Sequence, residues 1–370
     1  MAQAARSPRL AAASQSGGRA GRDALGARHG PALEPRKMRL GGIMSGRVNS
    51  AGHTARRATH AGSWYEGEAG SLRAEIRGLL SAEYAQGAIS DAGLKAVIAP
   101  HAGLRYSGAV AAGVYARVDA GAVRRIFLVG PSHHAHVEGC GLPGSQVTTY
   151  RTPLGDLPLD VATLAELRRT GEFSELPMEV DEREHSLELQ LPFLAELLLN
   201  GPMRGTGPPA MLVPMLVGQV GRRDEETYGR LLAPYLEAEG TLFVVSSDFC
   251  HWGAQFGYTR TGSRALAETY RDGPYPENAG IEGLDREGMS LISRQDSGGF
   301  RQYLARDANT ICGRHPILVL LETLHACSKQ LRVDFVKYAQ SSAMPGMPPP
   351  LDHSVSYACA LCTPIFERVG

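Results

Sequence analysis

The chain has 370 residues, of which 43% are hydrophobic and 21% are charged, a composition that fits one large globular domain or two modest ones. Its 38 basic and 38 acidic residues cancel, so the net charge gives no reason to expect nucleic acid or an anionic membrane as a partner. No run of about 18 apolar residues occurs, so no membrane span is expected. Six cysteines in a chain of this length favour a reducing compartment such as the cytoplasm over a disulfide framework.

The first 57 residues differ from the rest in charge. They contain eleven Arg and Lys against two acidic residues, a net charge of +9, and they lack Phe, Trp and Tyr. Because such a segment cannot bury enough apolar surface to offset its ordering entropy, residues 1–57 are predicted to be a disordered basic extension. One alternative is sequence upstream of a true start at Met44. Another is a transit segment, since Arg-rich leaders are typical of organellar import.

Beyond residue 57, apolar strand-like segments alternate with segments of helical periodicity. In chain order the predictions are a helix at 71–85, a strand at 95–101, a helix at 107–118, a strand at 124–134, helices at 158–170 and 185–199, a loop at 201–209, a strand at 210–218, a helix at 224–238, a strand at 241–252, helices at 263–272, 284–294, 298–307 and 316–330, and strands at 331–341 and 354–363. This alternation predicts one α/β domain over 58–370, with a central mixed, largely parallel sheet flanked by helices.

Several of the predicted strands end in polar residues. His101 follows the strand at 95–101, His133 and His134 close the strand at 124–134, and Asp248 and His251 lie at the end of the strand at 241–252. In open α/β sheets, sites form beyond the carboxyl ends of strands, so these side chains are expected to converge. Converging imidazoles suit Zn, Cu, Fe or Ni. The alternative for each histidine alone is a structural, hydrogen-bonded residue.

Three further residues are candidates for functional roles. Cys312 lies just before a helix that Pro316 is suited to begin, where the helix dipole favours a thiolate; the alternative is a small buried cysteine. His185 follows an acidic run at the start of a predicted helix; the alternative is that this charged segment is only a solvent-exposed helix cap. Trp64 precedes the first helix as either a core residue or a pocket wall. No phosphate-binding loop, serine-hydrolase elbow or dinucleotide fingerprint accompanies them, which disfavours those three chemistries.

The segments around these residues resemble the Memo family (mediator of cell motility). The matching motifs, in order along residues 58–363, are HAGSWY, IAPHAG, GPSHH, YRTPLGDL, DEREHSLELQLPFL, VPMLVG, FVVSSDFCHWG, TICGRHPI and YAQSS. The resemblance implies a fold similar to that of the class III extradiol dioxygenases, which are non-haem iron enzymes. It also implies a pocket in which two histidines and one cysteine bind metal.

Carried over by motif, the implied metal ligands are His101 from IAPHAG, His133 from GPSHH and Cys312 from TICGRH. The implied pocket neighbours come from three further motifs: they are Asp248 and His251, Trp64, and His185. In the dioxygenases the third iron ligand is a carboxylate, whereas a thiolate with two imidazoles favours copper, or an iron of different redox potential. Ring cleavage is therefore disfavoured.

Two classes of function follow from this resemblance. The first is a copper- or iron-dependent oxidoreductase in which Asp248 and His251 transfer protons. The second is a non-catalytic adaptor that binds phosphotyrosine peptides or other partners in motility signalling. The sequence contains no Arg cluster of the kind that reads phosphate, so the adaptor function rests on the resemblance alone.

Overall fold

The computed structural model describes residues 54–91, 93–201, 207–261, 276–343 and 352–365, all of which fall in one compact unit. The predicted basic extension up to residue 53, the predicted helix at 263–272 and most of the loop at 201–209 lie outside the described residues. Among the described helices, none is both long enough and apolar enough to cross a membrane. All six cysteines are free thiols.

The described part of the chain contains twelve strands. They are β1 (Thr54–Arg56), β2 (Ala96–Ala99), β3 (Arg125–Pro131), β4 (Cys140–Pro143), β5 (Val147–Tyr150), β6 (Leu157–Pro158), β7 (Phe173–Leu176), β8 (Met211–Val217), β9 (Thr241–Ser246), β10 (His251–Gly253), β11 (Leu331–Gln340) and β12 (His353–Pro364). The short strands β1 and β4 to β7 were absent from the sequence predictions, because two to four residues are too few to establish a period.

Most of the described helices match a predicted one. The described helices are α1 (Ala69–Ala85), α2 (Leu104–Tyr115), α3 (Val161–Arg169), α4 (Met178–Arg183), α5 (Leu191–Ala195), α6 (Arg222–Glu237), α7 (Pro276–Ser293), α8 (Ser297–Asp307) and α9 (Arg314–Ala326). Of these, α4 was not predicted, and α7 begins at Pro276, well before the expected 284–294. In the predicted helix α1, Leu72, Ile76 and Leu80 recur every four residues and are buried, while the Glu68 carboxylate caps the first turn by accepting from the Ser71 N–H at 2.8 Å.

The main sheet of the described residues has the order β10-β12-β2-β9-β3-β8-β4-β7, with β11 also paired to β12. Strands β2, β9, β3 and β8 run parallel to one another, and antiparallel pairs join β12 and β4 to them on either side. Strands β2 and β9 are buried along their whole length, as their continuous apolar sequences require. The prediction of an α/β fold with a mixed sheet flanked by helices is confirmed, and its parallel part is the centre.

Helices cover this sheet in two groups. Helices α6 and α9 pack on each other and contact β9, and α9 also contacts β3. Helices α1 and α2 pack together, and α2 contacts β2, β11 and β12. The first group therefore brings the start of α9 to the central strands, which is the part of the fold that matters for the site.

Two predicted elements are broken in the structure. The helix expected at 185–199 consists of a 3-10 turn at Glu188–Gln190, the short helix α5 and a π-turn at Glu196–Asn200. Pro192 within this stretch lacks an N–H, which prevents a regular hydrogen-bond ladder. The strand expected at 241–252 ends at Ser246, and a separate strand, β10, pairs with β12.

The boundary expected between residues 57 and 58 requires correction. Strand β1 begins at Thr54 and pairs in parallel with β5, in a small sheet that β6 completes. The Arg56 side chain is fully buried, with its guanidinium 3.1 Å from Asp181 and 2.7 Å from Glu188. Composition alone counted this arginine with the basic extension, although its two buried carboxylate partners make it part of the core.

Candidate metal centre

The end of the parallel sheet brings together residues that are distant in sequence. Strands β2, β9 and β3 are neighbours and run parallel, so their carboxyl ends, followed by His101, Asp248 and His133, lie at one edge. Cys312 reaches the same edge from the loop before α9. One donor atom each from His101, His133 and Cys312 lies within 4.8 Å of the others, and His101 Nε2 is 3.1 Å from Cys312 Sγ. The structure thus groups the three predicted ligands.

A glycine allows the cysteine to come this close. The Gly313 N–H donates to Ser247 Oγ at 3.1 Å, which joins the start of α9 to the end of β9. A Cβ atom on Gly313 would lie 2.3 Å from Ser247 Cβ and 2.7 Å from the Ser246 carbonyl oxygen. Any larger residue would therefore force the start of α9 and the end of β9 apart, which would alter the placement of Cys312.

His101 is held by two contacts with the segment that ends β9. Its backbone N–H donates to Asp248 Oδ1 at 2.8 Å, and its ring Nδ1 lies 2.7 Å from Ser246 Oγ. Burial lowers the pKa of His101 well below the usual value, and the nearby His133 and His251 lower it further. The ring is neutral near pH 7, which is the form that binds metal.

His133 is held by a carboxylate instead. Its backbone N–H donates to Glu184 Oε2 at 2.7 Å, and its Nδ1 lies 2.9 Å from Glu184 Oε1. Burial alone would lower the pKa of His133, but Cys312 and Glu184 raise it to about 10. Burial likewise opposes the charge on Glu184, yet His133 holds the pKa of that carboxyl far below its usual range. Without metal, His133 therefore carries a proton that a bound cation would displace.

His133, Glu184 and His185 form a second group whose donor atoms lie within 4.8 Å of one another. The Glu184 carboxylate already accepts from three N–H groups, namely the backbone and ring of His133 and the backbone of Ser186. With these hydrogen bonds, Glu184 supports His133 rather than offering a free ligand atom, as is usual for carboxylates that contact a metal-binding histidine.

His185 and Trp64 form a wall beside the three converging side chains. The His185 ring stacks on His133 with centroids 4.4 Å apart, and its other neighbour, the Trp64 ring, also lies 4.4 Å away. Burial lowers the pKa of His185 well below its usual value, so this ring is neutral. Trp64 is 39% exposed, and it therefore lines the open side of the cluster.

Asp248 contacts the backbone of His101, and His251 is a further neighbour of this histidine. Asp248 Oδ1 accepts from the backbone N–H groups of His101 and Ala102, and burial raises the pKa of this carboxyl to about 6. The His251 Nδ1 lies 2.9 Å from the Phe249 carbonyl oxygen, and burial lowers the pKa of this ring to about 4. Asp248 thus helps to position His101, and its role in proton transfer stays a prediction, as does that of His251.

Sequence reasoning missed the two supporting residues, Glu184 and Ser246. Glu184 directly precedes His185 in the acidic run 181–184, which resembled a solvated helix cap. Ser246 stands two residues before Asp248 at the end of an apolar strand. The available signal for Ser246 was a polar residue at the end of a fully buried strand, but the sequence could not identify His101 as its partner.

The donor set is chemically suited to a metal ion. Two imidazole nitrogens and one sulfur match the ligands that copper, iron and zinc take in proteins. Both imidazoles have a polar partner at Nδ1, which leaves Nε2 of His101 directed at the cysteine sulfur. The residues present therefore fit a bound metal, whose identity the donor set alone does not select.

Comparison with known proteins gives consistent matches over most of the chain. Residues 56–361 match the family described as Memo-like protein. Protein MEMO1 from Danio rerio is 42% identical over 306 residues, which cover 82% of this chain and 95% of the relative. Protein MEMO1 from Homo sapiens is 41% identical over 323 residues, or 86% and 99% of the two chains. Protein memo-1 homolog from Caenorhabditis elegans is 37% identical over 319 residues, or 84% and 83%.

Among solved structures, the crystal structure of uncharacterized protein JW3007 from Escherichia coli K12 aligns with 64% of this chain and 86% of its own, at 14% identity and a TM-score of 0.33. That likeness is too slight to bear on function, and the predicted similarity to extradiol dioxygenases stays a prediction. The sequence relatives are decisive, because they are well above 30% identity and are matched over more than four-fifths of their length. This chain belongs to the Memo family.

Proposed function

We propose that the protein binds copper or iron through His101, His133 and Cys312 and acts as an oxidoreductase. The observation that carries the proposal is the convergence of the three donor atoms within 4.8 Å. The three residues come from separate parts of the chain: the ends of β2 and β3 and the loop before α9. Each imidazole is also held at Nδ1 by a buried side chain, an arrangement that is typical of metal ligands and is not needed for packing.

The thiolate favours copper, since soft sulfur ligands select soft metal ions, while the imidazoles suit copper and iron alike. A bound ion of either metal would supply one-electron redox chemistry toward oxygen or a small substrate. Asp248, whose pKa is raised to about 6, is suited to hold or release a proton near neutral pH. A cysteine as third ligand, in place of the carboxylate, argues against ring cleavage of the extradiol type.

The test is metal content by mass spectrometry beside oxygen uptake with a reductant, on the same samples. His101→Ala and Cys312→Ser are expected to lose metal and oxygen uptake together. Two control variants match them in chemistry: Cys327→Ser changes a half-buried thiol at the opposite end of α9, and His325→Ala removes an exposed histidine of the same helix. Both controls are expected to keep wild-type metal content. Equal losses in the controls would contradict the ligand assignment.

A binding module is the second candidate function, and the exposed Trp64 ring beside His185 is the observation that favours it. Such an aromatic surface at the mouth of the site suits a peptide side chain, including phosphotyrosine. Full metal occupancy with oxygen uptake no faster than that of the free metal would reject the oxidoreductase. In that case, Trp64→Ala is expected to weaken binding of a phosphotyrosine peptide while leaving metal content unchanged.

A further inference from the structure

We propose that Ser246 is a positioning residue for the metal centre: its hydroxyl holds His101 in the tautomer that carries hydrogen on Nδ1. This leaves the Nε2 lone pair of His101 directed at Cys312, which is the geometry that a metal ligand requires. The inference rests on the proposed metal-binding function, and it assigns a role to the end of β9 that the ligand set itself does not include.

The first step concerns the hydrogen of the serine. Ser246 Oγ lies 2.7 Å from the carbonyl oxygen of Ser186. A carbonyl oxygen can accept but not donate, so the hydroxyl hydrogen points at Ser186. A serine hydroxyl has one hydrogen, and Ser246 therefore can only accept from its other neighbours.

The second step concerns Gln190, whose Nε2 lies 2.9 Å from the Pro100 carbonyl oxygen and 2.8 Å from Ser246 Oγ. The Pro100 carbonyl fixes the orientation of the amide, because the opposite orientation would set two oxygens against each other. Tyr115 completes the chain by donating its hydroxyl to Gln190 Oε1 at 2.7 Å. Gln190 therefore donates one of its two hydrogens to Ser246 and occupies one of the two lone pairs of that oxygen.

The last lone pair of Ser246 faces His101 Nδ1 at 2.7 Å. If Nδ1 lacked a hydrogen, two lone pairs would meet at that distance in a place shielded from water, since Ser246 and Gln190 are fully buried and His101 is 1% exposed. The hydrogen of a neutral His101 is therefore on Nδ1. Nε2, the atom 3.1 Å from the cysteine sulfur, is left with its lone pair free for a metal.

A direct reading of the tautomer tests this inference without metal. Nitrogen-15 NMR of histidine-labelled, metal-free, full-length protein distinguishes Nδ1–H rings from Nε2–H rings, and the His101 signal is identified by its loss in His101→Gln. The wild-type ring is expected in the Nδ1–H form. Ser246→Ala is expected to move it toward the Nε2–H form, and Ser246→Thr, which keeps the hydroxyl, to restore the Nδ1–H form.

The consequence for metal is measured on the same variants by competition with a chelator. Loss of an outer partner of a metal-binding histidine typically costs about 10- to 100-fold in affinity, so Ser246→Ala is expected to weaken Cu(I) or Fe(II) binding by that factor. Ser107→Ala is the matched control, because Ser107 is equally buried and donates to the Ala102 carbonyl at 2.8 Å without contacting the imidazole. It is expected to leave both the tautomer and the affinity unchanged.

The possible failures are distinguishable. A wild-type ring in the Nε2–H form would overturn the positioning role whatever the metal data show. A tautomer that shifts in Ser246→Ala while affinity stays at the wild-type level would also overturn it, and would leave the proposed function intact. A wild-type protein that takes up neither copper nor iron would overturn the proposed function and the effect on affinity, whereas the tautomer reading would still decide the hydrogen-bond assignment.

Discussion

The ends of β2 and β3 each present a histidine to the same cysteine, but the two histidines have different hydrogen-bond partners at Nδ1. His101, after β2, is supported by a neutral serine hydroxyl, and burial lowers its pKa well below the usual value. His133, after β3, is supported by a carboxylate, and its pKa is raised to about 10 despite burial. Equivalent positions on one sheet edge thus give one neutral ring and one charged ring: Cys312 and the Glu184 carboxylate raise the pKa of His133, whereas burial beside His133 and His251 lowers the pKa of His101.

The two ends also differ in what lies behind them. The support of His101 comes from β9, a strand inside the parallel sheet. The support of His133 comes from the segment 181–188, which runs from the end of α4 to the following 3-10 turn. This segment depends on β1, because Arg56 donates to the Glu184 carbonyl oxygen at 2.9 Å and to Glu188 Oε2 at 2.7 Å. Loss of β1 is therefore expected to affect the β3 end most, since the β2 end meets this segment only where the Ser186 carbonyl oxygen accepts from Ser246.

The largest effect is expected from Arg56→Met. Asp181 and Glu188 would remain as buried carboxylates without their cation, which typically costs about 3–5 kcal/mol in the free energy of unfolding. Urea denaturation measures the loss. Arg222→Met is the matched control, because Arg222 is 73% exposed where it pairs with Glu226, itself 35% exposed, and exposed pairs contribute about 0–1 kcal/mol. Similar losses in the two variants would contradict a core role for Arg56.

Truncation is expected to separate the extension from the fold. Removing residues 1–53 is expected to leave the melting temperature unchanged, since their composition supports no core. Removing residues 1–57 also removes Arg56 and is expected to lower the melting temperature as Arg56→Met does. Thermal unfolding of the two truncated proteins is the measurement. A fall on removing residues 1–53 alone would show that part of the core precedes Thr54.

Glu184→Gln tests the β3 end by itself. The amide keeps the size of the side chain but removes the charge that supports His133, so metal affinity is expected to fall by about 10- to 100-fold. The pKa of His133 is expected to fall at the same time, which NMR titration of the metal-free protein measures. The His101 ring is expected to keep its tautomer, and a change there would show that the two ends are not independently supported.

The pH dependence of metal binding follows from the same contrast. The pKa of His101 lies well below its usual value, so its ring is neutral near pH 7 and adds little to the pH dependence, whereas a cation must displace the proton of His133, whose pKa is about 10. Affinity is therefore expected to rise with pH by at least about tenfold per unit between pH 6 and 9, because the proton of His133 must leave and the cysteine binds as a thiolate. Proton release during metal titration measures it, and a flat profile would place His133 outside the metal centre.

The metal-free protein is expected to show the opposite trend in stability. The pKa of His133 is raised in the folded state above the ordinary histidine value of about 6.5, so the stabilisation is complete below that pH. It is lost as the pH rises through about 10. Denaturation of metal-free protein between pH 7 and 10 checks the sign, and Glu184→Gln, in which the pair with His133 is weakened, is expected to lose less over the same range.

Asp248→Asn is expected to have the smallest effect on metal binding, about threefold or less. An asparagine oxygen can still accept from the N–H groups of His101 and Ala102, so the backbone at the β2 end is retained. If Asp248 transfers protons in turnover, oxygen uptake per bound metal falls in this variant although affinity does not. Parallel losses of affinity and uptake would instead restrict Asp248 to positioning.

The sequence by itself determined the elements whose signal is local. Apolar runs predicted the central strands, periodic leucines predicted α1, and the polar residues after β2 and β3 predicted the histidines of the site. Each of these rests on residues that are close in the chain, because hydrophobic periodicity is a property of neighbours. The grouping with Cys312 came from the resemblance to the Memo family, and the structure places that cysteine beside the two rings.

The tertiary structure alone decided which polar groups support the site. Ser246 meets His101 across 145 residues of chain, and Arg56 reaches Asp181 across 125, so no local pattern could pair them. The sequence predicted that the acidic run 181–184 and Arg56 are exposed to solvent, because charged side chains are rarely buried unless paired. Their pairing is what allows them to be buried, and it exists only once β1 and the segment 181–188 have folded together.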